Sequence, residues 1–152
     1  MKPQKIKDQL LNFCEQFVSQ RKKQIQDQIG RIEESLFNEG KSTAGDKHHT
    51  GRAMLQLDRE NAGKQLLAIE NLELVLGKIN MAQFPTHIAL GTYFETTHGN
   101  YFMAISAGKM TLGETDCYCI SPGTPIGKLF LGKKKGDTIH FNGKNMEVLA
   151  LY

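Results

Sequence analysis

The chain has 152 residues, enough for one ordinary domain or two small ones. Hydrophobic residues make up 39% and charged residues 23%, a balance that excludes a membrane-embedded or compositionally disordered chain. A net charge of +3 is too weak a bias to favour a grip on bare nucleic acid, and three cysteines without a CxxC pair argue against a disulfide framework or a zinc knuckle. The opening MKPQKIKDQL is charged where a signal peptide would be apolar, and no apolar run approaches the ~20 residues of a spanning helix. The expectation is a soluble, cytoplasmic protein with no membrane partner.

Composition changes near residue 80. Residues 1–80 hold 13 of the 19 basic and 11 of the 16 acidic side chains, while the remainder carries most of the glycine and aromatic residues. Ile6, Leu10, Phe13, Phe17, Ile25, Ile29, Ile32 and Leu36 recur at steps of three and four, with a gap at Arg21. That is one apolar stripe of a long helix. The polar, glycine-rich stretch 38–51 must contain a turn. The stripe resumes at Leu55, Ala62, Leu66, Ile69, Leu72, Leu76 and Ile79. Two such helices joined by a polar link fold back as an antiparallel coiled-coil hairpin over 1–80, its tip at about 38–51. At ~30 residues per arm the hairpin would be ~45 Å long and would project as a finger. The alternative packs the helices into a larger bundle or against a second copy.

Pro85 cannot continue a helix, so 81–85 reads as the joint to a second domain over 85–152. Segments 87–97, 101–106 and 116–120 are rich in Tyr, Phe, Thr and Ile and read as strands. Residues 97–100 form a turn, and Gly108 and Gly113 bracket another. Segments 138–141 and 146–151 flank Asn142-Gly143, a strong hairpin signal. PIGKLFLG, 125–132, reads as a short helix closed by Gly132. The fold class is therefore α+β: a helical hairpin, then a small antiparallel sheet of about five strands with one short helix.

Familiar catalytic motifs are missing. No glycine run makes a phosphate loop, and there is no GxSxG elbow. Cys14, Cys117 and Cys119 read as structural thiols. The tip holds Asp46, His48 and His49, types that ligate metals, but two or three ligands seldom make a stable site, and a solvated loop whose Ser42, Thr43 or Asp46 caps the second helix is the better reading of the chemistry alone. In 121–135, SPGTPIGKLFLGKKK, Ile126, Leu129, Phe130 and Leu131 are more apolar than one face of a short helix needs. Some of them pack inside. The rest form either ordinary core or a docking patch rimmed by Lys128 and the lysines 133–135.

Two stretches carry a family resemblance: SxAGDKxxTGRAMxQLxxE over 42–60 and SPxxPIGKxxLGKKxGD over 121–137. With the helical hairpin before them and the strands after, the chain resembles the bacterial Gre-type transcript cleavage factors, in particular the compact Gre-like proteins of Bacteroidetes. The resemblance covers nearly the whole chain. It implies an accessory factor rather than an enzyme, working as a monomer. Its C-terminal domain would be FK506-binding-protein-like and dock at the rim of the RNA polymerase secondary channel. Thr124, Pro125 and Ile126 fall where the family's Ser-Pro-Ile loop touches the polymerase, and Gly127 and Lys128 continue that loop. The hairpin tip would enter the channel and bring acidic residues to the catalytic Mg²⁺ and the nascent RNA 3′ end. No cofactor would be tightly bound; Asp46 would lend a ligand to an ion shared with the polymerase.

One position departs from the family pattern. The tip carries an Asp and, three residues on, a Glu; here these are Asp46 and His49. Imidazole is a poor ligand for Mg²⁺, which prefers oxygen. Channel binding is therefore expected more firmly than cleavage stimulation, and a modulator or inhibitor of the polymerase is the alternative. Glu33, Glu34 and Glu39 would compensate only if the tip brought them close. Other classes fit less well. A condensing enzyme needs a reactive cysteine inside a far larger fold. Prolyl isomerisation would follow from fold analogy alone. A dimerising coiled coil remains as a plain interaction module.

Overall fold

A computed structural model describes residues 1–41 and 49–152, excepting the side chains of Lys41 and His49. The chain is α+β, with two long helices, a six-stranded sheet and one short helix. Helix α1 runs Pro3–Lys41 and α2 runs His49–Gly77. Both extend into the polar stretch expected as the tip: α1 takes 38–41 and α2 begins at 49. Helix propensity of Asn, Glu and Lys is adequate once a turn has been nucleated.

The chain divides into two compact units. One is Val18–Glu73; the other joins Met1–Phe17 to Leu74–Tyr152. The base of both helices thus groups with the sheet, a different division from the secondary-structure boundary at 80–85.

Within Val18–Glu73 the helices pair antiparallel. Lys22 meets Glu73 at 2.9 Å, the Arg59 guanidinium donates to Glu33 at 3.1 Å, and Arg52 donates to the Leu36 carbonyl at 3.2 Å. Partners rise along α1 as they fall along α2. Val18, Ile25, Ile29, Ile32, Ala62 and Ile69 are buried along this seam. The gap in the stripe is filled by Lys22, whose stem is half-buried and whose ammonium Glu73 holds more firmly protonated.

In the other unit, β1 is Tyr93–Thr96, β2 Gly99–Met103, β3 Gly108–Leu112, β4 Thr115–Ile120, β5 Thr138–Phe141 and β6 Lys144–Leu151. Their order is β3-β4-β2-β1-β6-β5. The sheet has six strands rather than about five, and it is mixed rather than antiparallel, because β2 and β4 run parallel. The extra strand β3 is the reason. It folds out, pairs antiparallel with β4, and returns β4 beside β2 in the same direction as β2. Residues 87–92 are not strand; the Ile88 amide instead donates to the Lys133 carbonyl at 2.8 Å. Turn chemistry holds as expected at Asn142 and Gly143, whose φ values of 50° and 74° give the two left-handed residues a tight hairpin needs.

Register assigns the two faces of the sheet. One carries Phe94, Tyr101, Met103, Ile120, Met146 and Val148 and packs on Phe130 of the short helix α3, Pro125–Phe130. The other carries Tyr93, Glu95, Asn100, Phe102, Cys117 and Cys119. The base of α1 lies on this second face, where Cys14 meets the Cys119 thiol. Lys7 shares this helix face, two turns before Cys14, and is itself buried. Desolvation pulls its pKa down, and the Asp8 charge opposes this.

No helix among the described residues is long and apolar enough to cross a membrane.

Gly91 anchors the entry to β1. Its φ is +91°, its amide donates to the Met103 carbonyl at 2.6 Å, and an added Cβ would come within 2.8 Å of the Ile79 side chain. Gly91→Ala is expected to cost about 1–3 kcal/mol. Gly30→Ala, mid-helix and with nothing within 4 Å of its Cβ, should add about 0.5–1 kcal/mol. Denaturant titration of both variants checks the contrast.

Candidate functional site

The segment 121–137 is a loop, one short helix and a turn. Ser121 organises its entry. The Ser121 hydroxyl accepts from the Gly123 amide at 3.2 Å, and its carbonyl accepts from the Thr124 hydroxyl at 2.7 Å. Thr124 is the N-cap of α3: its hydroxyl oxygen accepts from the Gly127 amide at 3.2 Å. Pro125 takes the first helical position, where a missing N–H costs nothing. Gly127 is buried, and a Cβ there would overlap the Ser121 carbonyl.

The exit is equally bound. Lys133 and Gly132 exchange backbone hydrogen bonds with Ile88 at 2.8 and 2.7 Å. The Asp137 carboxylate accepts from the Lys134 amide at 2.8 Å and closes the lysine turn. The Gly136 amide donates to the Val148 carbonyl and the Val148 amide to the Asp137 carbonyl, tying the turn to β6.

What remains outward is a small set. Of the five residues expected to dock, Thr124 and Gly127 are occupied in folding the loop, and Ile126 packs half-buried against the core. Pro125 and Lys128 are exposed. Phe130 is fully buried, its ring 4.9 Å from Phe94 and 5.4 Å from Tyr101. Its neighbours Leu129 and Leu131 are 38% and 46% exposed, large apolar side chains left in water. The structure thus splits the apolar run 126–131 into an inward half and an outward half. Lys128, next to Leu129 in the chain, is exposed and makes no ion pair among the described residues.

Asp46 lies outside the described residues, and of His49 only the backbone is described, as the first residue of α2. The structure does not bring these two together or separate them. Of the helix acids considered as substitutes, Glu33 is held by Arg59. No group of three or more His, Cys, Asp or Glu that could hold a metal occurs among the described residues.

The three cysteines are buried and free of disulfides. The Cys119 thiol hydrogen-bonds Cys14, which raises the pKa of Cys119 and lowers that of Cys14; burial pushes Cys117 up to about 12. These are packed thiols between α1 and β4.

No protein-family model matches the chain, and no curated protein matches it in sequence. Among solved structures it is similar to that of the transcription factor Gfh1. That likeness spans 87% of this chain and 93% of the other at 16% identity, with a TM-score of 0.34. A likeness that loose carries no argument about function.

Thr124 and Lys128 contrast a side chain that the fold uses with one that it leaves exposed. Thr124→Ala is expected to lower stability by about 1 kcal/mol through loss of the cap. Lys128→Ala should change it by less than about 0.5 kcal/mol. Equilibrium denaturation measures both.

Proposed function

We propose that the chain is an accessory factor of bacterial RNA polymerase, of the Gre type. The sheet unit docks at the rim of the secondary channel through the outward side of α3, and the hairpin carries its 42–48 segment toward the catalytic centre. The observation that best supports this reading is the surface of 121–137. Its hydrogen bonds are consumed in holding the loop, yet it presents Pro125, Lys128, Leu129 and Leu131 together on one short rigid stretch. Exposed apolar side chains close together mark interaction sites, and a lysine beside them suits the polar rim of such a patch. The resemblance of 42–60 and 121–137 to the Gre family supplies the partner.

The tip chemistry favours binding over cleavage. Asp46 offers one carboxylate, a suitable ligand for Mg²⁺, and would share that ion with the polymerase. His49 does not suit Mg²⁺, so the chain supplies half of the acidic pair on which the family's cleavage activity rests. The favoured form of the proposal is a factor that occupies the channel and modulates the polymerase. A second reading, self-association of the helices, is favoured by Met54, Leu57 and Leu67, which α2 leaves 62%, 57% and 62% exposed. Sedimentation separates the two readings: a monomer at micromolar concentration removes the second.

The test uses the full chain and core polymerase from the same organism. Leu129→Asp with Leu131→Asp is expected to weaken capture of the polymerase at least tenfold, about 1.4 kcal/mol, without lowering Tm. Unchanged capture would overturn the docking surface. In a stalled, backtracked elongation complex the wild type should leave the transcript uncleaved, whereas His49→Glu should gain cleavage that a further Asp46→Ala removes. Cleavage by the wild type that depends on Asp46 would show instead that one carboxylate suffices.

A further inference from the structure

Three thiols gather where the base of α1 packs on the sheet, all within one compact unit. Cys117 and Cys119 are two apart on β4, so both side chains lie on the second face of the sheet. Register flanks Cys119 with Phe102 of β2 and Gly108 of β3. Cys14 of α1 has no exposed surface here, and its sulfur is hydrogen-bonded by the Cys119 thiol and by the Ile105 backbone. Two sulfurs in hydrogen-bond contact need to move by only on the order of 2 Å to reach disulfide bonding distance.

The three sulfurs differ in character. Both hydrogen bonds to Cys14 favour its thiolate and outweigh its burial, which makes Cys14 the nucleophile. Burial instead pushes Cys117 up to about 12, so it stays a thiol. A sulfur with thiolate character in contact with a second thiol is the arrangement of a reacting and a resolving cysteine. A small oxidant also has an approach. A cavity of about 370 Å³, partly open to solvent, is lined by Cys117 together with Ile6 of α1 and Leu112 of β3. It brings solvent to the edge of the thiol cluster, beside the first turns of the helix that carries Cys14.

We infer that Cys14 and Cys119 are a site of oxidation by small peroxides, closing to a disulfide that locks the base of α1 to β4. The Cys14 thiolate attacks one oxygen of the peroxide. The O–O bond breaks, water or an alcohol leaves, and Cys14 becomes a sulfenic acid. The Cys119 sulfur then attacks the Cys14 sulfur. The S–S bond forms, and the sulfenic hydroxyl leaves with the Cys119 proton as water. In sum the two thiols give up two hydrogens and two electrons, and the peroxide takes them. The bond closes a long loop, from the first helix to the fourth strand, and so stabilises the folded chain. This inference is independent of the polymerase reading and concerns a different face of the sheet from α3.

The experiment treats the full, reduced, folded chain with hydrogen peroxide, then unfolds it in an alkylating agent. Alkylatable thiols should fall from three to one, the intact mass should drop by two hydrogens, and peptide mapping should join Cys14 to Cys119. Tm should rise by about 5–15 °C and return when a dithiol reductant is added. Cys117→Ser should leave the link intact. Cys119→Ser should stop at the sulfenic acid, which dimedone then labels on Cys14. The inference is overturned if all three thiols stay alkylatable after peroxide, or if the link forms to Cys117 or between two chains. It is equally overturned if folded Cys117→Ser no longer forms the link, or if dimedone labels another cysteine in folded Cys119→Ser.

Discussion

The ring of Phe130 is the contact on which the sheet unit turns. It comes from a six-residue helix too short to persist alone. It is wholly buried against Phe94 and Tyr101, which are opposite one another on β1 and β2. Burying a phenylalanine contributes about 1.5–3 kcal/mol, and offset aromatic pairs add to this. With Phe130 seated, α3 has one orientation. The Thr124 cap and the overlap that any side chain at Gly127 would create then fix the preceding loop. The outward position of Leu129 and Leu131 follows: on so short a helix, neighbours of an inward ring must point elsewhere.

The helical half of the fold was legible because its signal is periodic over many residues. The hydrophobic steps of α1 and α2 located both helices, but the gap at Arg21 did not reveal that Lys22 meets Glu73 across the pair. Their ends were less legible. Asn, Glu, Gly and Lys at 38–41 look like a loop, yet they continue α1 because a long packed helix propagates through weak formers. The Asn-Gly turn was legible for a different reason: two consecutive positive φ angles admit few residues.

The sheet was harder to read. Strand β3, GKMTL, is mostly exposed, so it lacks the alternation that reveals a half-buried strand. Without it, β4 would follow β2 through a turn and pair antiparallel. With it, β4 returns parallel to β2. Segment 87–92 was misread in the opposite sense. Its apolar residue Ile88 is buried in the core with Phe94 and Phe130, while its backbone hydrogen-bonds to the end of the 121–137 motif rather than to a strand. Single-sequence patterns report burial, not what does the burying.

The same distinction governs how much function a motif can carry. In 121–137 the residues that make the pattern recognisable are largely those the fold requires. Ser121, Thr124, Gly127 and Asp137 cap, turn and clear space. A chain could keep all four for stability and bind nothing. Information about a partner has to reside in side chains that the fold leaves unconstrained, which here are Pro125, Lys128, Leu129 and Leu131. Two exposed leucines on a helix of six residues cost solubility without stabilising the fold. On the docking proposal, a partner's surface would cover them. The evidence for that proposal is what folding alone leaves unexplained.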